Sequence, residues 1–91
     1  QENWEQIISN LTKRAEDPSV NADQQARALY IAGFILQTKV MDINRARTLY
    51  TQFMERYAKH PLVNAVKRQL AELEKGADAE VVSDQTGVSL Q

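Results

Sequence analysis

The chain has 91 residues, 43% hydrophobic and 25% charged, which suits one small globular domain with a modest core and is too short for two. A formal net charge of -1 is too small to draw the whole chain onto nucleic acid or an anionic membrane. Cysteine is absent, which excludes disulfides, cysteine nucleophiles and thiolate metal sites.

The chain begins at Gln1, so a processed product or an excised piece of a longer protein is expected. Its longest apolar run, Ala28 to Leu36, is about half of what a bilayer crossing needs. No direct membrane insertion is therefore expected.

Four helical segments follow from the hydrophobic spacing. The first runs from Asn3 to Glu16, with Trp4, Ile7, Ile8 and Leu11 recurring on one face. Asn3 is placed to cap it, with Gln6 three residues on to reach back as in a capping box. Lys13 and Arg14 suit the negative end of its dipole. Asp17-Pro18-Ser19 breaks it, because a residue before proline is pushed out of the α region.

The second segment spans Ala22 to Lys39, with Asn21 and Gln24 repeating the capping arrangement. Its centre, Ala28 to Leu36, is apolar all round, which marks it as the central helix, covered by neighbours on two sides. Gly33 costs a helix about 0.5–1 kcal/mol relative to alanine. Close approach of another helix backbone is the expected compensation.

The third segment, Asp42 to Lys59, carries Ile43, Ala46, Tyr50, Phe53 and Tyr57 at spacings of three and four, widened by Leu49 and Met54. Asp42 is its expected cap. Lys59-His60-Pro61 should close it and open the next helix, with Pro61 in the first turn. The fourth segment, Leu62 to Lys75, buries Val63, Val66, Leu70 and Leu73, and Gly76 is its expected stop. Residues 77–91 lack helical periodicity and carry three acids without a base. The sequence thus divides into a helical-hairpin domain, 1–76, and an irregular acidic C-terminal tail, 77–91.

An internal echo links the first and third segments. Trp4, Ile8, Leu11 and Ala15 match Ala46, Tyr50, Phe53 and Tyr57 in spacing, at an offset of about forty residues, a period typical of helical-hairpin arrays. Ala28-x-x-x-Ala32-Gly33 followed by Ala46-x-x-x-Tyr50-x-x-Phe53 resembles a tetratricopeptide repeat. Phe53-x-x-x-Tyr57-x-x-x-Pro61-x-x-x-Ala65 is similar to a subgroup with a longer second helix, found in bacterial envelope proteins such as outer-membrane assembly lipoproteins and cell-division coordinators.

This resemblance covers Ala22 to Leu73. It implies an all-α fold of about four helices in antiparallel hairpins with a right-handed stack, a protein-binding role, and a periplasmic or envelope-associated location. Two departures stand out. Gly33 and Ala46 lie one residue further apart than the family usually has, so the turn at Val40-Met41-Asp42 should be one residue longer. Leu36 or Gln37 stands where an aromatic is usual. The rival architecture is an unrelated four-helix bundle with short loops. Repeat arrays need about three units for an independent core, so one hairpin flanked by two helices reads as part of a longer array or as one half of a self-pair.

Reactive groups are sparse. His60, the single histidine, has no assignable nucleophile and reads as a cap or dipole partner. Glu72 and Glu74 fall on different helix faces, and Glu16-Asp17 reads as solvated surface. No cluster suits a metal, and Gly33, Gly76 and Gly87 form no phosphate loop. No cofactor and no enzymatic activity are expected. Asn10-Leu11-Thr12 fits the N-glycosylation pattern, but Leu11 faces the core and chance is the simpler reading.

Charge is uneven along the chain. Asp42 to Lys75 holds seven basic and four acidic residues. Arg45, Gln52, Arg56 and Lys59 share a face of the third segment, and Asn64, Lys67, Arg68 and Lys75 share one on the fourth. Ordinary solvated helix surface is one reading. A groove for an acidic peptide, formed by Arg45, Gln52, Arg56, Lys59, Asn64, Lys67 and Arg68, is the functional one. Aromatics do not interleave with these bases, which argues against nucleic acid. The leading expectation is a protein-protein interaction scaffold that binds a partner's peptide or helix. Homo-oligomerisation, or an accessory place in an envelope complex, is the alternative.

Overall fold

A computed structural model describes residues 3–86, with side chains up to Lys75. Four helices account for most of them: α1 (Trp4–Glu16), α2 (Ala22–Ile35), α3 (Ile43–Arg56) and α4 (Val63–Thr86). Successive helices pack as antiparallel hairpins, α1 on α2, α2 on α3 and α3 on α4. No packed pair joins α4 to α1, so the described helices form an open stack in place of a closed bundle.

The N-terminal caps explain where the first three helices begin. Asn3 Oδ1 accepts from the Gln6 N–H at 3.1 Å, Asn21 Oδ1 from Gln24 at 2.8 Å, and Asp42 Oδ1 from Arg45 at 3.2 Å. The capping boxes are only half made. Gln6 turns forward to donate to Asn10 Oδ1, and Gln24 Oε1 accepts from Arg14. Neither glutamine returns to its cap, each being engaged by another side chain. Between α1 and α2, Asp17 accepts from both the N–H and the hydroxyl of Ser19. These bonds, the backbone one foremost, hold its carboxyl below the usual range.

The end of α2 leaves the α-helical pattern before α3 begins. Leu36–Val40 winds as one π turn, and Met41 follows in the left-handed conformation at φ 63° and ψ 31°. The Leu36 carbonyl accepts from the N–H groups of both Met41 and Asp42, the latter at 2.8 Å. This satisfies a carbonyl that the helix end would otherwise leave open.

Two boundaries differ from the sequence expectation. Helix α3 stops at Arg56, three residues short of Lys59. Pro61 occupies the second position of a turn in which the Val63 N–H donates to the His60 carbonyl at 2.9 Å, and so precedes α4. Helix α4 continues through Gly76 to Thr86. Gly76 lies within the helix, and its helix penalty of roughly 1 kcal/mol does not outweigh the good helix formers Ala77, Ala79 and Glu80 beyond it. Residues 77–86, expected to be irregular, are therefore helical in backbone. The rest of the expected tail, 87–91, lies outside the described residues.

The core sits along α2 and α3. Tyr50, Phe53, Leu29, Leu36 and Val66 are fully buried, with Ala26, Ala28, Ala32 and Ala46 allowing the helices to approach. Gly33 is compensated by a side chain and not by a backbone. A Cβ there would lie 2.7 Å from Tyr50 Cε1 and 3.0 Å from Cδ1.

Candidate functional site: the cleft between α1 and α3

Helices α1 and α3 are held side by side at two points. Arg45 makes a two-pronged pair with Glu5, both N–H···O distances being 3.0 Å. Arg56 donates to Glu16 at 2.8 Å and to the Ala15 carbonyl at 3.4 Å. Eleven residues separate Glu5 from Glu16 and Arg45 from Arg56. That is close to three helical turns, so the two clips lie about 16 Å apart on one line. Because the early residues pair with each other and the late ones likewise, the two helices run parallel.

A cleft of about 440 Å³ opens beside the first clip. Ile8 of α1, Leu49 of α3 and Leu36, where α2 gives way to the π turn, supply its apolar lining. Ser9, Thr12 and Thr48 add hydroxyls, and Glu5 with Arg45 closes one margin. Thr12 spends its proton on the Ser9 carbonyl at 3.0 Å, and Thr48 on the Asn44 carbonyl at 3.0 Å. Their oxygens therefore remain as acceptors. Arg45 also stands 3.8 Å from Asp42, and the hydrogen bonds it donates to Glu5 are the main cause of its raised pKa.

A second cleft of about 440 Å³ lies where α3 ends near the start of α2, bounded by Asp23, Tyr57, Lys59 and His60 among others. His60 Nδ1 accepts from the Leu62 N–H at 3.0 Å, so in this geometry the ring proton sits on Nε2, 2.7 Å from Asp23 Oδ1. Phe53 meets the imidazole edge-on at 5.7 Å. Hydrogen bonding from His60, followed by that from Arg27, lowers the Asp23 pKa. His60 is a structural clasp from the α3–α4 connection to the first turn of α2.

The residues expected to form a basic groove are dispersed. Arg45 and Arg56 point to α1 and are engaged there by carboxylates. Gln52 is half-buried, and Lys59 is exposed at the second cleft. Asn64, Lys67 and Arg68 are exposed on α4, which packs on α3 and not on α1. The α1–α3 cleft itself was not anticipated. Its legible signal was charge, since Glu5–Arg45 and Glu16–Arg56 are each separated by 40 positions.

Among the described residues no group of three histidine or acidic side chains could hold a metal ion. No described helix is long and apolar enough to cross a membrane. Compared with protein-family models, with curated proteins and with solved structures, the chain matches none.

Proposed function

We propose that this chain is a non-catalytic helical-hairpin scaffold that holds a segment of a partner protein in the cleft between α1 and α3. The observation that carries this reading is the cleft itself. Its volume of about 440 Å³ falls in the range of ligand pockets, and it joins an apolar lining to a few polar groups, as recognition sites do. Its walls are two helices clipped in parallel by Glu5–Arg45 and Glu16–Arg56. The site therefore exists before a partner arrives, which lowers the ordering cost of binding.

The deciding experiment maps amide shifts in labelled protein on addition of a peptide selected from a random library. Thr48→Arg places a long side chain in the cleft from an exposed position and should abolish the shifts. Lys67→Glu on α4 should leave them unchanged. Loss with Lys67→Glu and retention with Thr48→Arg would move the binding surface to the basic face of α4.

Self-association is a second reading, favoured by Ile31 and Phe34, which are 44% and 42% exposed on the outer side of α2. Light scattering over a concentration series tests it. A dimer that Phe34→Asp dissociates would support the reading, and a monomer at high micromolar concentration would remove it.

A further inference from the structure

The charged margin of the α1–α3 cleft is already satisfied. Arg45, the cation at that margin, is gripped on both prongs by Glu5 and has Asp42 at 3.8 Å. A carboxylate entering here would find the guanidinium charge already offset by Glu5 and Asp42, and would meet acceptor oxygens at Thr12 and Thr48. A cation would have to shed water over Ile8, Leu36 and Leu49 and stand next to Arg45. A neutral segment meets neither cost. Its apolar side chain matches the lining, and its backbone N–H groups match the hydroxyl acceptors.

We propose that the cleft selects an uncharged peptide segment that lays one leucine- or isoleucine-like side chain over Leu49 and the outer edges of the buried Ile8 and Leu36, and that Glu5 is the specificity-determining residue that turns acidic segments away. This rests on reading the cleft as the partner site. It replaces the acidic peptide suggested by the basic residues of α3 and α4 with an uncharged one. Glu5 acts through Arg45: while the pair is closed, the cleft presents no unpaired positive charge.

The test is a random-peptide selection on the immobilised chain, run in parallel on Glu5→Gln and Thr48→Arg. Glu5 and Thr48 are both exposed helix positions, and circular dichroism checks that each variant is folded. Peptides lost on Thr48→Arg are the cleft binders. In the unaltered chain they should share an aliphatic anchor flanked by uncharged residues. Glu5→Gln frees the Arg45 guanidinium and should raise the affinity of an Asp- or Glu-flanked version of the same peptide roughly five-fold relative to the neutral one. Acidic cleft binders to the unaltered chain, or an unchanged ranking in Glu5→Gln, would overturn the selectivity while leaving the partner site in place. If every peptide binds Thr48→Arg equally well, the partner site and its selectivity fall together.

Discussion

The ring of Tyr50 occupies the space that a side chain at residue 33 would need. A Cβ on Gly33 would come within 2.7 Å of Tyr50 Cε1, and Tyr50 is fully buried with its hydroxyl donating to Gln37 Oε1 at 2.7 Å. The ring is held at both ends of its reach, so it has no low-energy retreat. Helix α2 accepts a poor helix former so that α3 can pack this closely.

Gly33→Ala is therefore expected to destabilise the fold by about 1–3 kcal/mol, because overpacking outweighs the gain in helix propensity. Urea denaturation measures it. Combining Gly33→Ala with Tyr50→Leu should cost less than the sum of the two single changes, since the second removes the clash made by the first. Additive costs would disconnect the two residues.

Tyr50→Phe removes the hydrogen bond to Gln37 and should cost about 0.5–1.5 kcal/mol. Burial raises the Tyr50 pKa well above the ordinary tyrosine value of 10.0. A raised folded-state pKa means that the protonated phenol favours the native state. Its contribution is intact below the unfolded value and declines as pH rises above it toward the folded one. Stability should thus fall on the alkaline side from about pH 10, and less so in Tyr50→Phe. Equal pH dependence in the two proteins would count against the buried phenol as the cause.

Met41 is 70% exposed and left-handed, so its side chain contributes little packing while its backbone carries strain. Met41→Gly should stabilise the fold by roughly 0.5–1 kcal/mol. Met41→Ala, which keeps a Cβ in the same conformation, should not. A scan of melting temperatures separates them, and equal behaviour of the two variants would remove the left-handed strain from the account.

The clasp between His60 and Asp23 predicts a dependence at acid pH. The Asp23 pKa is lowered from 3.8, chiefly by the hydrogen bond from His60. The ionised carboxylate therefore favours the native state above that value, and the contribution is lost as pH falls through the lowered one. Asp23→Asn should flatten the acid limb of the stability curve below about pH 4. An unaltered acid limb would show that other carboxylates set it.

A double-mutant cycle on Glu16 and Arg56 should give a coupling of only about 0.2–1 kcal/mol, reduced by salt, because both groups face solvent. A much larger, salt-insensitive coupling would require the α1–α3 clips to be drivers of the fold and not guides to its register.

Helix existence was legible in the residues because it depends on local quantities. Apolar spacing of three and four, with Asn3, Asn21 and Asp42 as caps, sets α1, α2 and α3 without reference to anything distant. The apolar stripe also identified Ala46, Tyr50 and Phe53 as core. The π turn that ends α2 was not visible in the spacing.

What the tertiary structure alone decided are the relations between helices. Whether Gly33 admits a backbone or a ring, and whether Arg45 and Arg56 face a partner or Glu5 and Glu16, depends on which surfaces the stack brings together. The end of α4 belongs here too, since Gly76 can stop a helix or continue one according to its φ. Local energies of a few tenths to about 1 kcal/mol choose the helices, whereas excluded volume and paired charge between distant positions choose how they meet. The cleft between α1 and α3 is a product of that second choice, and so is the neutral partner inferred for it.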